Sequence, residues 1–220
     1  MKSLTHTHFA INIAATLLGL TTFALAGPPM VCHKIEIGQA KTLPWVELNY
    51  QKGNGGYDLA NLSTDTIAIL DSNPSVLVHM ETLRRATIYA RQDSQVAKQL
   101  ITRLRARATS TDSTTAGSLA WFDLGYLAET YKQWIGKGEP NPATGLDGYA
   151  LVAKAIILRG SDPEMEFAAA LITLTSHEAD HNARVQNAMA GAKSDSLLAQ
   201  NLDSRFHDQT IASLLTNPKQ

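Results

Sequence analysis

From Tyr57 onward the apolar positions of the chain recur at the spacing of α-helices, and no run alternates long enough to build a sheet. Leu59, Leu62, Ile69 and Leu70 fall on one side of a first helix, which the turn cluster Asp71-Ser72-Asn73-Pro74 stops because proline cannot continue it. A second helix, SVLVHMETLRRATIYA, ends near Arg91. Asp93 then caps a third, SQVAKQLITRLRARA, whose Val96, Leu100, Ile101 and Leu104 share a face. The polar linker TSTDSTTAG leads to SLAWFDLGYLAETYKQW, and the loop IGKGEPNPATGLDG breaks the chain again. After it come GYALVAKAIILRG, the turn Ser161-Asp162-Pro163, the small-residue helix EMEFAAALITL and a last helix pair from His177 to about Phe206. The pattern predicts an all-α fold over residues 57–208, followed by a tail over 209–220.

The segment before Tyr57 reads differently. Lys2, an uncharged and largely apolar run from Phe9 to Phe23, and the small residues of Ala24-Leu25-Ala26 predict a signal peptide over residues 1–26, cleaved after Ala26. Asn12, Thr16, Thr21 and Thr22 dilute the run below what a spanning helix needs, so no stable membrane insertion is expected. The expected address is periplasmic or extracellular. Residues 27–56 are rich in proline and glycine, and read as an extended arm that buries Ile35, Ile37, Leu43, Trp45, Val46 and Leu48 against the helices, with room for one short strand.

Trp121-x-x-Leu124-Gly125-x-x-Ala128 resembles the first-helix pattern of tetratricopeptide repeats. Val152…Ala155 and Val185…Ala188 resemble the second-helix pattern, and the two alanines stand 33 residues apart. The resemblance covers roughly residues 57–208 and implies helical hairpins stacked as a short solenoid with a concave binding face. Leu104 and Ala155 stand 51 residues apart, which requires extended loops on either side of the Trp121 to Trp134 helix. In this reading Gly125, Ala128, Ala155 and Ala168 to Ala170 let helices approach closely. A generic helical bundle is the alternative. PEMEFAAALITL and METLRRATIYARQD also resemble segments of exported bacterial proteins, which carries the address and the helical class and no activity.

Charge narrows the partners. The chain carries a formal charge of −1, or −2 without Lys2, which points to neither nucleic acid nor a membrane surface for the molecule as a whole. Its distribution is uneven: seven bases face two acids between His79 and Ala108, and ten acids face five bases from Glu139 to Asp208. Arg84, Arg91 and Lys98 are the candidate contacts for an anionic ligand, against the plainer reading of a solvated helix face. The single cysteine, Cys32, excludes an internal disulfide. It is either a buried small residue or a reactive thiol, with His33 beside it as a second metal donor.

His177-Glu178-Ala179-Asp180-His181 matches H-E-x-x-H, in which two histidines one helical turn apart bind zinc and the glutamate acts as general base. Against it, Ser176 reads as an N-cap that places the motif in the opening turn of its helix, where a cation is poorly placed. Arg184 and Asn187 also stand where a metzincin continuation needs glycine and histidine. There is no phosphate loop and no nucleophile elbow. The preferred expectation is an exported, non-catalytic, cofactor-free helical scaffold for a protein or peptide. The alternative is a zinc hydrolase using His177, His181 and Glu178. Oligomeric state is not read from the sequence.

Overall fold

The structure, a computed structural model, describes residues 28–46, 53–111, 115–135 and 140–216. The expected signal peptide and Leu48 lie outside them. Among the described residues eight α-helices follow in chain order: α1 (Leu62–Ser72), α2 (Val76–Ala90), α3 (Ser94–Ser110), α4 (Ser118–Trp134), α5 (Gly148–Arg159), α6 (Pro163–Thr173), α7 (Glu178–Gly191) and α8 (Leu197–Thr216). No strand forms among the described residues. The helix bounds fall close to those the apolar periodicity predicts, because the stop signals are local. Gly160 ends α5 in the left-handed conformation at φ 83°. Asp162 then accepts hydrogen bonds from the Glu164 and Met165 amides, and Pro163 opens α6 without losing a helical donor. Asp93 caps α3 in the same way, through the Gln95 and Val96 amides.

The last helix runs further than its periodicity suggests. Phe206 takes non-helical φ/ψ, but α8 resumes and continues to Thr216, so most of the expected tail is helical.

Burial ranks the helices. α3 buries one stripe, Ala97, Leu100, Ile101, Leu104 and Ala108, and is a surface helix. α2 buries every residue except Arg85, and α6 buries all nine from Met165 to Thr173, which makes them interior helices. α2 touches α1, α3, α4 and α6, while α4 packs most closely on α5 and α6 on α7. At the α4–α5 crossing the two backbones meet glycine to glycine. A Cβ on Gly125 would lie 2.6 Å from the Gly148 carbonyl oxygen, and one on Gly148 2.5 Å from the Gly125 oxygen.

The aromatic residues of α4 divide. Tyr126 and Tyr131 are fully buried, whereas Trp121 is half-buried, with the Lys154 Nζ 3.2 Å from its ring centroid.

The arm is held by one buried carboxylate. Glu81 of α2 accepts from Arg84 Nε and Nη2 at 2.7 and 2.8 Å, from Arg85 Nε at 2.7 Å and from the Ile35 amide at 2.9 Å. The same arginines donate onward to arm carbonyls, Arg84 to Val31 at 2.9 Å and Arg85 to Leu43 at 2.6 Å. Trp45 lies over both guanidinium groups. Met30, Val31, Ile35, Ile37 and Leu43 are buried beneath this clamp, and Val46 stays exposed. Asn201 of α8 secures the arm from the other side, donating to the Glu36 carbonyl and accepting from its amide.

Two stability predictions follow from these contacts. Gly125→Ala must force a methyl into backbone and should lower stability by about 1–3 kcal/mol, a typical cost of overpacking. Gly55→Ala, with nothing within 4 Å of the added carbon, should change little, and thermal unfolding of both variants compares them. Glu81→Gln removes the buried anion from two arginines and should cost roughly 3–5 kcal/mol in urea unfolding. Burial alone raises the Glu81 pKa, but the hydrogen bonds and charge of Arg84, with the Ile35 amide and Arg85, bring it below its ordinary value. The stabilisation is therefore complete above the ordinary carboxyl range and fades as pH falls through the folded value. Glu81→Gln should flatten this acid limb; an unchanged limb would place acid sensitivity elsewhere.

Candidate functional site

The H-E-x-x-H segment is assembled differently from a zinc-binding helix. His177, not Ser176, precedes α7 as its N-cap, in the left-handed conformation at φ 56° and with no side-chain cap bond. Ser176 instead donates its hydroxyl to the Ile172 carbonyl behind it. Because His177 stands outside the helix, the helical register that aims two histidines at one metal is lost. The two rings have separate neighbours. His177 stacks on Tyr149 of α5, centroids 4.4 Å apart. His181 packs edge-on against Phe206, with Nδ1 2.9 Å from the Thr173 hydroxyl and 3.2 Å from the Ala170 carbonyl oxygen. Glu178 is exposed. Among the described residues no group of three histidine, cysteine, aspartate or glutamate side chains is placed to hold a metal ion.

What the segment does form is a polar junction of α5, α6 and α7. The Tyr149 hydroxyl donates to Asp180 at 2.8 Å and accepts from Arg184 Nε at 3.0 Å, and Arg184 Nη1 reaches Glu166 at 2.9 Å. Asn187 completes it by donating to Glu166. Arg184 and Asn187, the residues that spoil the metzincin pattern, are thus joints between helices.

Cys32 and His33 line a cleft of about 330 Å³ with Lys34, Glu36, Ser204 and Arg205. Burial pushes the Cys32 thiol up, against the pull of Arg84 and Arg205, which leaves less thiolate than an ordinary cysteine holds. Burial and the two arginines push the His33 pKa down.

The basic run between His79 and Ala108 separates into structural and surface charges. Arg84 is 1% exposed and its guanidinium is taken up by Glu81 and the Val31 carbonyl, so it has no face to offer an anionic ligand, contrary to the sequence expectation. The reason is spacing: Glu81 stands one turn before Arg84 and Arg85 on a helix that the arm covers. Arg107 is likewise engaged, between Asp71 and Asp123. Arg91 is exposed at the C-cap of α2. Lys98 and Arg105 remain on the outer face of α3, and neither makes an ion pair among the described residues. Together with Gln95 and Thr102 they form one wall of a groove of about 450 Å³, with Ile101 lining it and Pro140, Asn141 and Pro142 opposite.

Among the described residues no acidic side chain lines this groove. Arg105 belongs to the basic run but not to the three candidate contacts drawn from it, although its position seven residues after Lys98 places both on one helix face.

Purified protein should carry no stoichiometric zinc by elemental analysis, and His177→Ala should leave its metal content unchanged. Near one zinc per chain, lost in that variant, would restore the hydrolase reading. Comparison with protein-family models, with curated proteins and with solved structures gave no match to this chain.

Proposed function

We propose that the chain is an exported, non-catalytic helical scaffold that binds an acidic, extended protein or peptide segment along α3. The observation that carries this reading is the α3 groove, where two exposed cations face a proline-flanked wall and, among the described residues, have no ion pair and no acid lining the groove beside them. Lys98 and Arg105 are two helical turns apart, about 10 Å along the axis. A polyproline II segment advances about 3.1 Å per residue with three residues per turn, so acidic side chains three apart fall on one side at a matching spacing. Prolines on the opposite wall suit such a segment because they add apolar surface and no competing donor. Arg91 is kept as a further contact for the incoming chain.

The tetratricopeptide-like arrangement belongs to the same proposal. Consecutive hairpins α4–α5 and α6–α7, and the close glycine crossing of the first, support it. The enclosure of α2 by four other helices and the arm is a bundle feature, so the scaffold is read as hairpins wrapped around α2 rather than an open stack. Among the described residues no helix is long and apolar enough to cross a membrane.

The test is fluorescence anisotropy with a labelled peptide carrying glutamate at every third position between prolines, at low salt. Lys98→Glu with Arg105→Glu should weaken binding roughly tenfold or more, since two exposed charge contacts turn repulsive, and should leave thermal stability unchanged. Physiological salt should weaken binding by wild-type protein, because exposed charges are screened. Equal binding by the double variant, or none by wild-type protein, overturns the assignment.

A further inference from the structure

Away from the α3 groove, α2 carries a second buried charged group. His79 is completely buried, and both of its ring nitrogens face hydrogen-bond acceptors. Nδ1 lies 2.6 Å from a carboxylate oxygen of Asp123 on α4, and Nε2 lies 2.7 Å from the backbone carbonyl oxygen of Asn73, in the turn that ends α1. A backbone carbonyl can only accept, and so can an ionised carboxylate. A neutral imidazole has one donor, so only the imidazolium makes both bonds. The surrounding charges fit that state. Asp123 also accepts from Arg107 Nη1 at 2.6 Å, and Arg107 reaches Asp71 of α1 at 2.8 Å. His79, Arg107, Asp123 and Asp71 then sum to zero.

Two further charged groups beside this turn, among the described residues, have partners of their own. Glu164 of α6 accepts from the Leu77 amide and the Ser75 hydroxyl, and Arg159 of α5 pairs with Asp162 while donating to the Pro74 carbonyl.

Loss of the His79 proton acts on one bond more than on the other. The carboxylate is the stronger acceptor and keeps the Nδ1 proton. Nε2 becomes a lone pair facing the Asn73 carbonyl oxygen, two acceptors in contact inside the core, which is costly for both. The Asn73 turn is the part that can move, because it is a connection at the molecular surface and not an interior helix. We propose that His79 is a proton-operated latch, which ties the Asn73 turn and the end of α1 to the α2–α4 core when protonated and releases them when it loses its proton. What it releases is one wall of a cleft of about 540 Å³ between α1 and α3, lined by Ile67, Asp71, Arg103 and Arg107. Changing pH thus alters the support of the helix that bears Lys98 and Arg105, whatever that helix binds.

The direction of the pH effect is fixed. Burial alone pushes the His79 pKa down, but the charge and hydrogen bond of Asp123 and the Asn73 carbonyl outweigh it against a smaller opposing effect of Arg107, and the net is upward. The latch is therefore fully engaged below the ordinary imidazole value and is lost as pH rises through the higher folded value. Between the two, one proton makes the unfolding constant rise by up to tenfold per pH unit.

Nitrogen-15 NMR of the histidine rings in the intact chain tests this, combined with amide hydrogen exchange at Asp71, Ser72 and Asn73 over the same pH series. Two protonated ring nitrogens on His79 at pH below the ordinary imidazole value, with exchange protection of the turn falling as the Nε2 proton is lost, support the latch. A single ring proton throughout overturns it, and so does titration of the ring without change in protection. His79→Gln should abolish the pH dependence of protection; should that variant fail to fold, the wild-type titration still decides.

Discussion

A buried carboxylate at the centre of α2 is the constraint on which the rest of the architecture depends. Glu81 is removed from water, and an isolated charge in that position would be severely destabilising. It persists because Arg84 and Arg85 wrap it from the next turn of the same helix and the arm supplies a backbone amide. The arginines in turn need acceptors for their remaining donors and find them on the arm at Val31 and Leu43. Helix and arm therefore complete each other's hydrogen bonding. A buried ion pair of this kind is weak evidence for net stability, but its directional bonds admit few arrangements, and it sets where the arm lies.

The same helix carries His79, two residues earlier, toward α4 and the end of α1. α2 thus anchors two polar networks, one gathering the arm and the other gathering α1, α3 and α4 through Asp123 and Arg107. Their combined effect is to draw much of the basic run inward. Arg84 and Arg107 are joined to buried acids, while Lys98, Arg103 and Arg105 of α3 stay exposed with no ion pair among the described residues. Charge counting along the chain finds the excess but not its location.

Chemistry that looks concentrated in the sequence is dispersed in space. H-E-x-x-H lies within five consecutive residues, yet the chain turns into the left-handed region at His177 and begins its helix one residue later. That single backbone choice sends one ring to α5 and leaves the other against α6 and α8. Tyr149, Asp180, Arg184 and Glu166, from three helices, are what the region assembles instead. None of these partnerships has a short-range spacing, so no pattern along the chain marks them.

Local stereochemistry made the helices readable. Asp93, Asp162, Pro163 and Gly160 fix helix ends through bonds to near neighbours, and the stripe of α3 follows from its own apolar spacing. The sequence by itself therefore determined the all-α class, most helix bounds and the excess of bases between His79 and Ala108. Tertiary structure alone decided that Arg84 would be buried while Lys98 stayed free, that His79 would meet two acceptors, and that Gly125 would touch Gly148. The physical reason is range: caps and periodicity act over a few residues, whereas burial, charge pairing and close backbone approach depend on which distant segments share the same space.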